Sequence, residues 1–174
     1  MAVLGASHLA IGVVDMDRAL PFYVDVLGFS VTSDFQQEMT PDQAPELHRG
    51  RHIRRRQVWL RQSDDPLAMA IALDELSSGD PADRRADIYD IGIHHIGLWV
   101  NDVFAIVARA RAAGVDVVLP HTAPADAYGD QSGGRIASVF LRDPDGNLIQ
   151  CDQRIAPGEA ADWHVGSNGI VGQG

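Results

Sequence analysis

The chain has 174 residues and a formal net charge of −10, and all 14 of its basic side chains are arginines. Hydrophobic residues make up 45 % of it, enough to bury a core, and the length suits one domain or two small fused modules. The acidic charge argues against nucleic-acid binding, no apolar run approaches the roughly 20 residues of a membrane helix, and a single cysteine excludes an intramolecular disulfide or a cysteine-based zinc site. The first residues lead into a strand pattern rather than a signal peptide, so we expect a cytoplasmic protein.

The first predicted strand recurs later in the chain. His8–Val13 has the sequence HLAIGV, and residues 95–100 have the similar sequence HIGLWV. An aspartate follows each run in the same register, at Asp15 and Asp102. A repeat of this kind predicts two copies of one structural module.

A helical pattern follows the strand in each copy and ends at a glycine, Gly28 or Gly114, before another β-type run. A glycine at this place is typical of a helix C-cap with positive φ. In the first copy Pro21 lies inside the pattern, so that helix begins near Asp17 or is kinked at the proline.

Two further strands close each copy. Residues 57–61 and 67–73 flank the turn signal 63–66, and residues 136–141 and 147–154 flank Asp-Pro-Asp-Gly at 143–146. Residues 34–50 and 120–134 are predicted long loops, and the tail is weakly patterned. The predicted boundaries are a first βαβββ module at 1–75, a linker at 76–91, a second βαβββ module at 92–156 and a C-terminal tail at 157–174.

Side-chain alternation assigns the repeated histidines to one face of each strand. His8 shares its face with Ala10 and Gly12, and His95 shares its face with Gly97 and Trp99. The larger apolar residues occupy the other face and should pack on the helix, so both histidines should point away from it. The small residues beside them indicate either open space above the sheet or close packing against it.

A basic segment interrupts the acidic chain. The histidines and arginines between positions 48 and 61 are His48, Arg49, Arg51, His52, Arg54, Arg55, Arg56 and Arg61. This segment is either a solvated loop and strand edge or a basic wall that attracts an anionic substrate or an acidic partner.

The chain resembles the vicinal oxygen chelate superfamily, which includes glyoxalase I, extradiol ring-cleaving dioxygenases and bleomycin-resistance proteins. The resemblance rests on His8-Leu9-Ala10-Ile11, on PFYVDVLGF at 21–29, on His95-Ile96-Gly97-Leu98 and on FLRDPDGNLI at 140–149. It implies an α+β fold in which two βαβββ modules have curved mixed sheets that form an open barrel-like cavity around one site. It also implies a homodimer, which members commonly form.

The resemblance further implies a divalent metal ion, which could be iron, zinc, nickel or manganese. The four family ligand positions fall here on His8, Ala72, His95 and Gln150. The two histidines match, whereas Ala72 and Gln150 stand where the family often has glutamate. The expected ligands are therefore His8, His95 and Gln150. Asp74 and Asp152 lie two residues further along the same faces, roughly 6–7 Å away, too far to replace a ligand directly.

Two functions follow from this resemblance. One is a metal-assisted enzyme that acts on a small oxygenated organic substrate, with no catalytic residue assigned. The other is a metal-free protein that binds and sequesters a small molecule, as bleomycin-resistance members do. The histidine pair favours the enzyme, and Ala72 and Gln150 favour the binding protein. A third hypothesis is an interaction module that uses the basic segment. The expected substrate contacts are Trp99, His52, His121 and Tyr128.

Overall fold

A computed structural model describes residues 5–42, 51–65, 67–76, 91–160, 162–166 and 169–173. The chain divides into two compact units, Met1–Asp83 and Arg84–Gly174, which we call the N-terminal and C-terminal modules. Each contains a four-stranded mixed sheet with a helix on one face, and the sheets are curved but not closed. The α+β fold predicted from the sequence is confirmed. Most of the predicted linker, residues 77–90, lies outside the described residues, and the predicted boundaries stay predictions.

The sheet of the N-terminal module has the strand order β1-β4-β3-β2. Its elements are β1 (His8–Val13), α1 (Met16–Pro21), a π-helical turn (Phe22–Val26), β2 (Ser30–Met39), β3 (Ile53–Arg61) and β4 (Ala70–Leu76). Strand β1 runs parallel to β4, and the other pairs are antiparallel. The core residues of this helix and its strands include Met16, Tyr23, Leu60 and Ile71, all fully buried.

Helix α1 shows how the proline is accommodated. Asp15 caps the helix by accepting a hydrogen bond from the backbone N–H of Arg18 at 3.1 Å. Pro21 is the last residue of α1, not a residue of its first turn. Proline cannot donate the next helical hydrogen bond, and the chain widens beyond it into the π-helical turn, where the Leu27 N–H donates to the Phe22 carbonyl. Gly28 follows with φ of 86°, as its predicted capping role requires.

The C-terminal module repeats this plan with the strand order β5-β8-β7-β6. Its elements are β5 (Ile96–Trp99), α2 (Val103–Ala112), β6 (His121–Pro124), a 3-10 turn (Ala125–Tyr128), β7 (Arg135–Arg142), β8 (Leu148–Ile155) and the hairpin β9 (Asp162–Gly166) and β10 (Gly169–Gln173). Helix α2 packs on β7 and β8, begins at the capping residue Asp102 and ends before Gly114, whose φ is 69°.

Three segments have more structure than the sequence pattern predicts. Residues 34–39 of a predicted loop continue β2, and residues 121–124 of the other predicted loop form β6. The tail forms the β9–β10 hairpin, where Trp163 packs on Phe104 with ring centroids 4.7 Å apart. Cross-strand polar pairs and aromatic contacts stabilise these segments instead of a buried apolar face. Their sequences therefore lack the alternating apolar pattern of buried strands. No helix of the described residues is long and apolar enough to cross a membrane.

The strand registers repeat from one module to the other. In the N-terminal sheet Ala10 lies opposite Ala72, and Gln57 lies opposite Asp74. The corresponding pairs of the C-terminal sheet are Gly97 with Gln150 and Ser138 with Asp152. Position 72 therefore corresponds to position 150, and position 74 corresponds to position 152.

Candidate functional site

The candidate site lies on the face of the C-terminal sheet that is turned away from α2, which we call the helix-free face. Side chains alternate along each strand, so the buried residues Leu98, Val139 and Cys151 belong to the helix side. The helix-free face carries the residues that alternate with them, namely Gly97, Trp99, Ser138, Phe140, Gln150 and Asp152.

Four polar side chains meet at the centre of this face. The Oδ1 atom of Asp152 accepts hydrogen bonds from the Ser138 hydroxyl at 2.5 Å and from the Gln150 amide at 2.8 Å. The Tyr128 hydroxyl accepts a second hydrogen bond from the Gln150 amide at 2.9 Å and lies 3.2 Å from the Ser138 hydroxyl. We call these four residues the Asp152 cluster. Asp152 and Gln150 are each only 6 % exposed and Ser138 is fully buried, whereas Tyr128 is exposed at the rim of the cluster. The cluster satisfies the Oδ1 atom of Asp152 with two hydrogen bonds.

The second oxygen of Asp152 points in another direction. A Cβ atom added at Gly97 would lie 3.8 Å from Oδ2, so this oxygen faces the space above the glycine. Trp99 lies opposite Asp152 in the strand register, and its side chain is 56 % exposed. The Trp99 ring lies 6.5 Å from the Tyr128 ring, centroid to centroid. Aromatic surface therefore flanks the carboxylate.

Arg154 forms the border of the site. Its guanidinium carbon lies 5.0 Å from the centroid of the Trp99 ring, a cation–π contact. Its Nη1 atom lies 2.6 Å from Oδ2 of Asp130, so Arg154 ties the loop after Tyr128 to strand β8.

His95 immediately precedes β5, beside a second histidine. Its Nδ1 atom lies 2.7 Å from Nδ1 of His94, and its ring meets the edge of Phe140 with centroids 5.4 Å apart. Burial lowers the pKa of His95, the neighbouring His94 lowers it further, and the negative charge of Asp152 partly offsets both effects. His95 is therefore neutral at pH 7, the form in which an imidazole binds metals or accepts hydrogen bonds.

The N-terminal module places His8 in a comparable setting. His8 is exposed, its ring lies 5.0 Å from that of Trp59, and its Nδ1 atom lies 3.1 Å from the Ser7 hydroxyl. Ala72 is buried beside Trp59 on the neighbouring strand.

Two of the four family ligand positions differ from the usual donors. Ala72 has no donor atom, and the amide nitrogen of Gln150 is engaged with Tyr128 and Asp152, which leaves the amide oxygen as the atom that could bind a metal ion. No group of three or more His, Cys, Asp or Glu side chains suited to a metal ion occurs among the described residues.

The predicted substrate contacts fall into two groups. Trp99, His121 and Tyr128 belong to the C-terminal module, where Trp99 and Tyr128 flank the Asp152 cluster. His121 stacks on Phe140 with ring centroids 6.1 Å apart, and its buried Nδ1 has no hydrogen-bond partner among the described residues. His52 belongs to the N-terminal module, where its Nε2 atom lies 2.6 Å from the Glu38 carboxylate.

Sequence reasoning assigned no role to Asp152 or Ser138. Asp152 is too far along β8 to take the place of Gln150, but it is close enough to hydrogen-bond to it. The sequence signal for Asp152 was the alternation of side chains along β8, which puts Gln150 and Asp152 on the same face of the sheet. Ser138 becomes visible only from the β7–β8 register, which places it opposite Asp152.

Three arginines of the basic segment pair with carboxylates. Arg56 contacts Asp34 and Asp17, each at 2.7 Å, Arg55 lies 3.2 Å from Asp74, and Arg54 lies 3.2 Å from Glu38. An open cleft of about 810 Å³ beside these residues also includes Asp15 and Glu75 in its lining. Arg54, Arg55 and Arg56 are therefore neutralised within their own module. His48 and Arg49 lie outside the described residues.

Comparison with known proteins gives concordant results. The model of the Glyoxalase/Bleomycin resistance protein/Dioxygenase superfamily matches residues 5–151. A virulence protein of Salmonella typhimurium is 28 % identical over 149 residues, which are 86 % of this chain and 83 % of that protein. A glyoxalase family protein from Bacillus cereus has a similar structure, with a TM-score of 0.68 and 16 % identity over 90 % of this chain and 97 % of that one. An antibiotic-binding protein from Streptomyces has a TM-score of 0.53 and 22 % identity over 89 % of this chain and 99 % of that one.

Proposed function

Because the chain belongs to the Glyoxalase/Bleomycin resistance protein/Dioxygenase superfamily, we propose that it binds a small organic molecule on the helix-free face of its C-terminal module. The Asp152 cluster is the observation that supports this proposal. Small-molecule sites combine apolar walls with a few fixed polar groups that orient the ligand. The cluster supplies such groups, and Trp99 supplies an exposed aromatic wall beside them. The antibiotic-binding protein from Streptomyces shares the fold, which favours binding as the function.

The exposed indole of Trp99 indicates a ligand with a flat ring. Stacked aromatic pairs contribute about 0.5–1.5 kcal/mol beyond the area that they bury. The test is to titrate the protein with benzamide, a neutral planar compound, and follow binding by NMR. Trp99→Leu should weaken binding about three- to tenfold, which corresponds to this energy. Leu67→Ala changes an exposed apolar side chain of the N-terminal module and should have no effect. Equal affinity in Trp99→Leu and wild type would argue against the proposed site.

A metal-assisted enzyme acting on a small oxygenated substrate is the second candidate. The observation in its favour is that His8 and His95 each lie beside an aromatic ring of their own module, Trp59 or Phe140. In this proposal His8, His95 and Gln150 are the metal ligands, and iron, zinc, nickel or manganese is the ion.

Metal content decides between the two candidates. The enzyme proposal expects a bound transition metal after purification without chelators, and loss of that metal in the variant His8→Ala/His95→Ala. It also expects Gln150→Glu to tighten metal binding, because a carboxylate adds negative charge to the ligand set. If no ion binds the wild type, and the double variant binds benzamide normally, the metal-free binding protein is the function. If Gln150→Glu leaves metal affinity unchanged, Gln150 is not a ligand.

We further propose that the chain acts as a cytoplasmic homodimer, since the superfamily commonly forms dimers. Edge strand β2 supports this proposal, because no other described strand pairs with its outer edge, and ten residues of strand edge can pair with a second chain.

A further inference from the structure

Asp152 is a buried carboxylate without a counter-cation among the described residues. Both hydrogen bonds that it accepts come from neutral donors, the Ser138 hydroxyl and the Gln150 amide. The chain has no lysine, and the arginine two residues away, Arg154, is engaged with Asp130 and Trp99. Burying a carboxylate costs free energy unless a positive charge or several hydrogen bonds offset the loss of water.

The duplicated position in the N-terminal module is neutralised. Asp74 accepts a hydrogen bond from Gln57 at 2.8 Å, as Asp152 does from Ser138. In addition, the Arg55 guanidinium lies 3.2 Å from Asp74 and supplies the opposite charge. Each module thus carries an aspartate at the same register position, and only the N-terminal module pairs it with an arginine.

The strand registers show which residue occupies the equivalent position in the C-terminal sheet. Arg55 lies opposite Leu76, and the corresponding pair in the C-terminal sheet is Ile136 opposite Arg154. The charged and apolar residues have exchanged strands, and the arginine now contacts the indole and Asp130 instead of the aspartate. Ile136 is fully buried and leaves the charge of Asp152 uncompensated.

The two sheets also differ opposite their aspartates. Gly12 lies opposite Asp74, whereas Trp99 lies opposite Asp152. The C-terminal module therefore has no arginine beside its carboxylate at this register position and has an exposed aromatic ring there instead. Carboxylate and indole together are the two groups that bind an organic cation, one through charge-assisted hydrogen bonds and the other through cation–π contact.

We propose that Asp152 and Trp99 form a binding site for the positively charged, N–H-bearing end of a planar organic ligand. The proposal rests on the proposed small-molecule function and specifies the ligand class. The free Oδ2 atom, which faces the space above Gly97, accepts the hydrogen bond from the cation. The Asp152 cluster holds the other oxygen, so the carboxylate is oriented before the ligand arrives.

The test compares three aromatic probes of nearly the same shape, namely benzamidinium, benzamide and benzoate. Binding to the full chain is measured by NMR at pH 7, with and without EDTA. We expect benzamidinium to bind at least about tenfold more tightly than benzamide, and benzoate not to bind. Asp152→Asn should remove this preference, because it should weaken benzamidinium binding about tenfold more than it weakens benzamide binding. Trp99→Leu should weaken the binding of both probes, and that of benzamidinium by the larger factor, because only the cation loses a cation–π contact.

Asp74→Asn is the matched control, because it removes the same charge at the equivalent position, where Arg55 already neutralises it. It should leave the preference for benzamidinium intact. Equal binding of benzamidinium and benzamide by wild type overturns the ligand class but leaves the proposed function standing. If neither probe binds, both proposals fail. Loss of benzamidinium binding in EDTA, or its displacement by Zn²⁺ in wild type but not in Asp152→Asn, assigns the carboxylate to a metal ion and also overturns the inference.

Discussion

The position of Cys151 in the fold controls the reactivity of its thiol. It lies on the helix side of β8 and is fully buried. Burial raises the pKa of its thiol to about 12, and the adjacent charge of Asp152 contributes to the increase. Only the thiolate is an effective nucleophile, so the folded protein should hold this cysteine in an unreactive form.

Titration with a disulfide reagent at pH 8 tests this expectation. The native protein should show no fast-reacting thiol, and the protein in guanidinium chloride should show one per chain, because unfolding restores an ordinary cysteine pKa. A fast reaction in the native state would contradict the burial of Cys151.

Arg56 is the most strongly connected of the described arginines in the basic segment. It contacts two carboxylates, Asp34 and Asp17, whereas Arg54 contacts exposed Glu38 and is itself 67 % exposed. Arg56→Gln should lower the free energy of unfolding by about 1 kcal/mol, near the upper end for surface pairs. Arg54→Gln, the matched control, should cause no measurable change in urea unfolding. Equal effects of the two variants would show that the second carboxylate contributes nothing.

The contribution of Arg56 should depend on pH with a definite sign. The hydrogen bond from Arg56 holds the pKa of the Asp34 carboxyl below its ordinary value. Stabilisation from a lowered carboxyl pKa is present above the unfolded-state value of about 3.9 and is lost as the pH falls through the folded-state pKa. The stability difference between wild type and Arg56→Gln should therefore be constant from pH 5 to 7 and shrink below pH 4. A difference that grows in acid would contradict this assignment.

At the scale of the elements, the loop before β7 ends at Gly134, where its backbone closely approaches the backbone of Ile155 at the end of β8. A Cβ atom at Gly134 would collide with the carbonyl oxygen of Ile155, whereas a Cβ atom at Gly12 would meet nothing within 4 Å. Gly134→Ala must push the loop away from the end of β8 and should cost about 1–3 kcal/mol in unfolding free energy, the usual range for overpacking. Gly12→Ala should be neutral or slightly stabilising, because alanine suits a strand better than glycine. Thermal unfolding of the two variants is the measurement, and an unchanged melting temperature in Gly134→Ala would contradict the expected collision.

The order of the elements could be predicted from the sequence because local residues encode it. Gly28 and Gly114 follow the helical segments, as the repeat indicated, and the repeated residues Asp15 and Asp102 cap the two helices. The second half of β2 could not be predicted, because polar side chains such as Asp34 carry no apolar alternation and pair with β3 only after the register is set.

The candidate site was predictable only in part. Trp99 was predicted from its strand face, Tyr128 from its loop and Gln150 from the family ligand positions. The structure brings these three residues together. The hydrogen bond between Ser138 and Asp152 depends on which residues of β7 and β8 face each other, and sequence spacing does not specify that. The ion pairs of the basic segment could not be predicted for the same reason, because the acidic partners come from β2, β4 and the first turn of α1.

For the whole molecule, the exposed edge of β2 leads to a prediction about assembly. Val31 is 48 % exposed and Phe35 is 41 % exposed, so the edge strand carries apolar surface as well as unpaired backbone groups. Light scattering coupled to size-exclusion chromatography should give twice the 18.8 kDa mass of the chain. Phe35→Asp should shift the mass toward that of one chain, because a charged side chain on an edge opposes pairing. A wild-type mass of 18.8 kDa would contradict the proposed homodimer.

The exchange of Arg55 for Ile136 at equivalent positions has a consequence for divergence among relatives. A chain that contains two copies of a module can alter recognition in one copy while the other keeps the charge pairs that stabilise it. In close relatives that bind different molecules, substitutions should therefore accumulate at 97, 99, 136 and 154, while the corresponding positions 10, 12, 55 and 76 change little. Duplication would then have separated selection for ligand recognition from selection for stability. A single module has to satisfy both at the same residues.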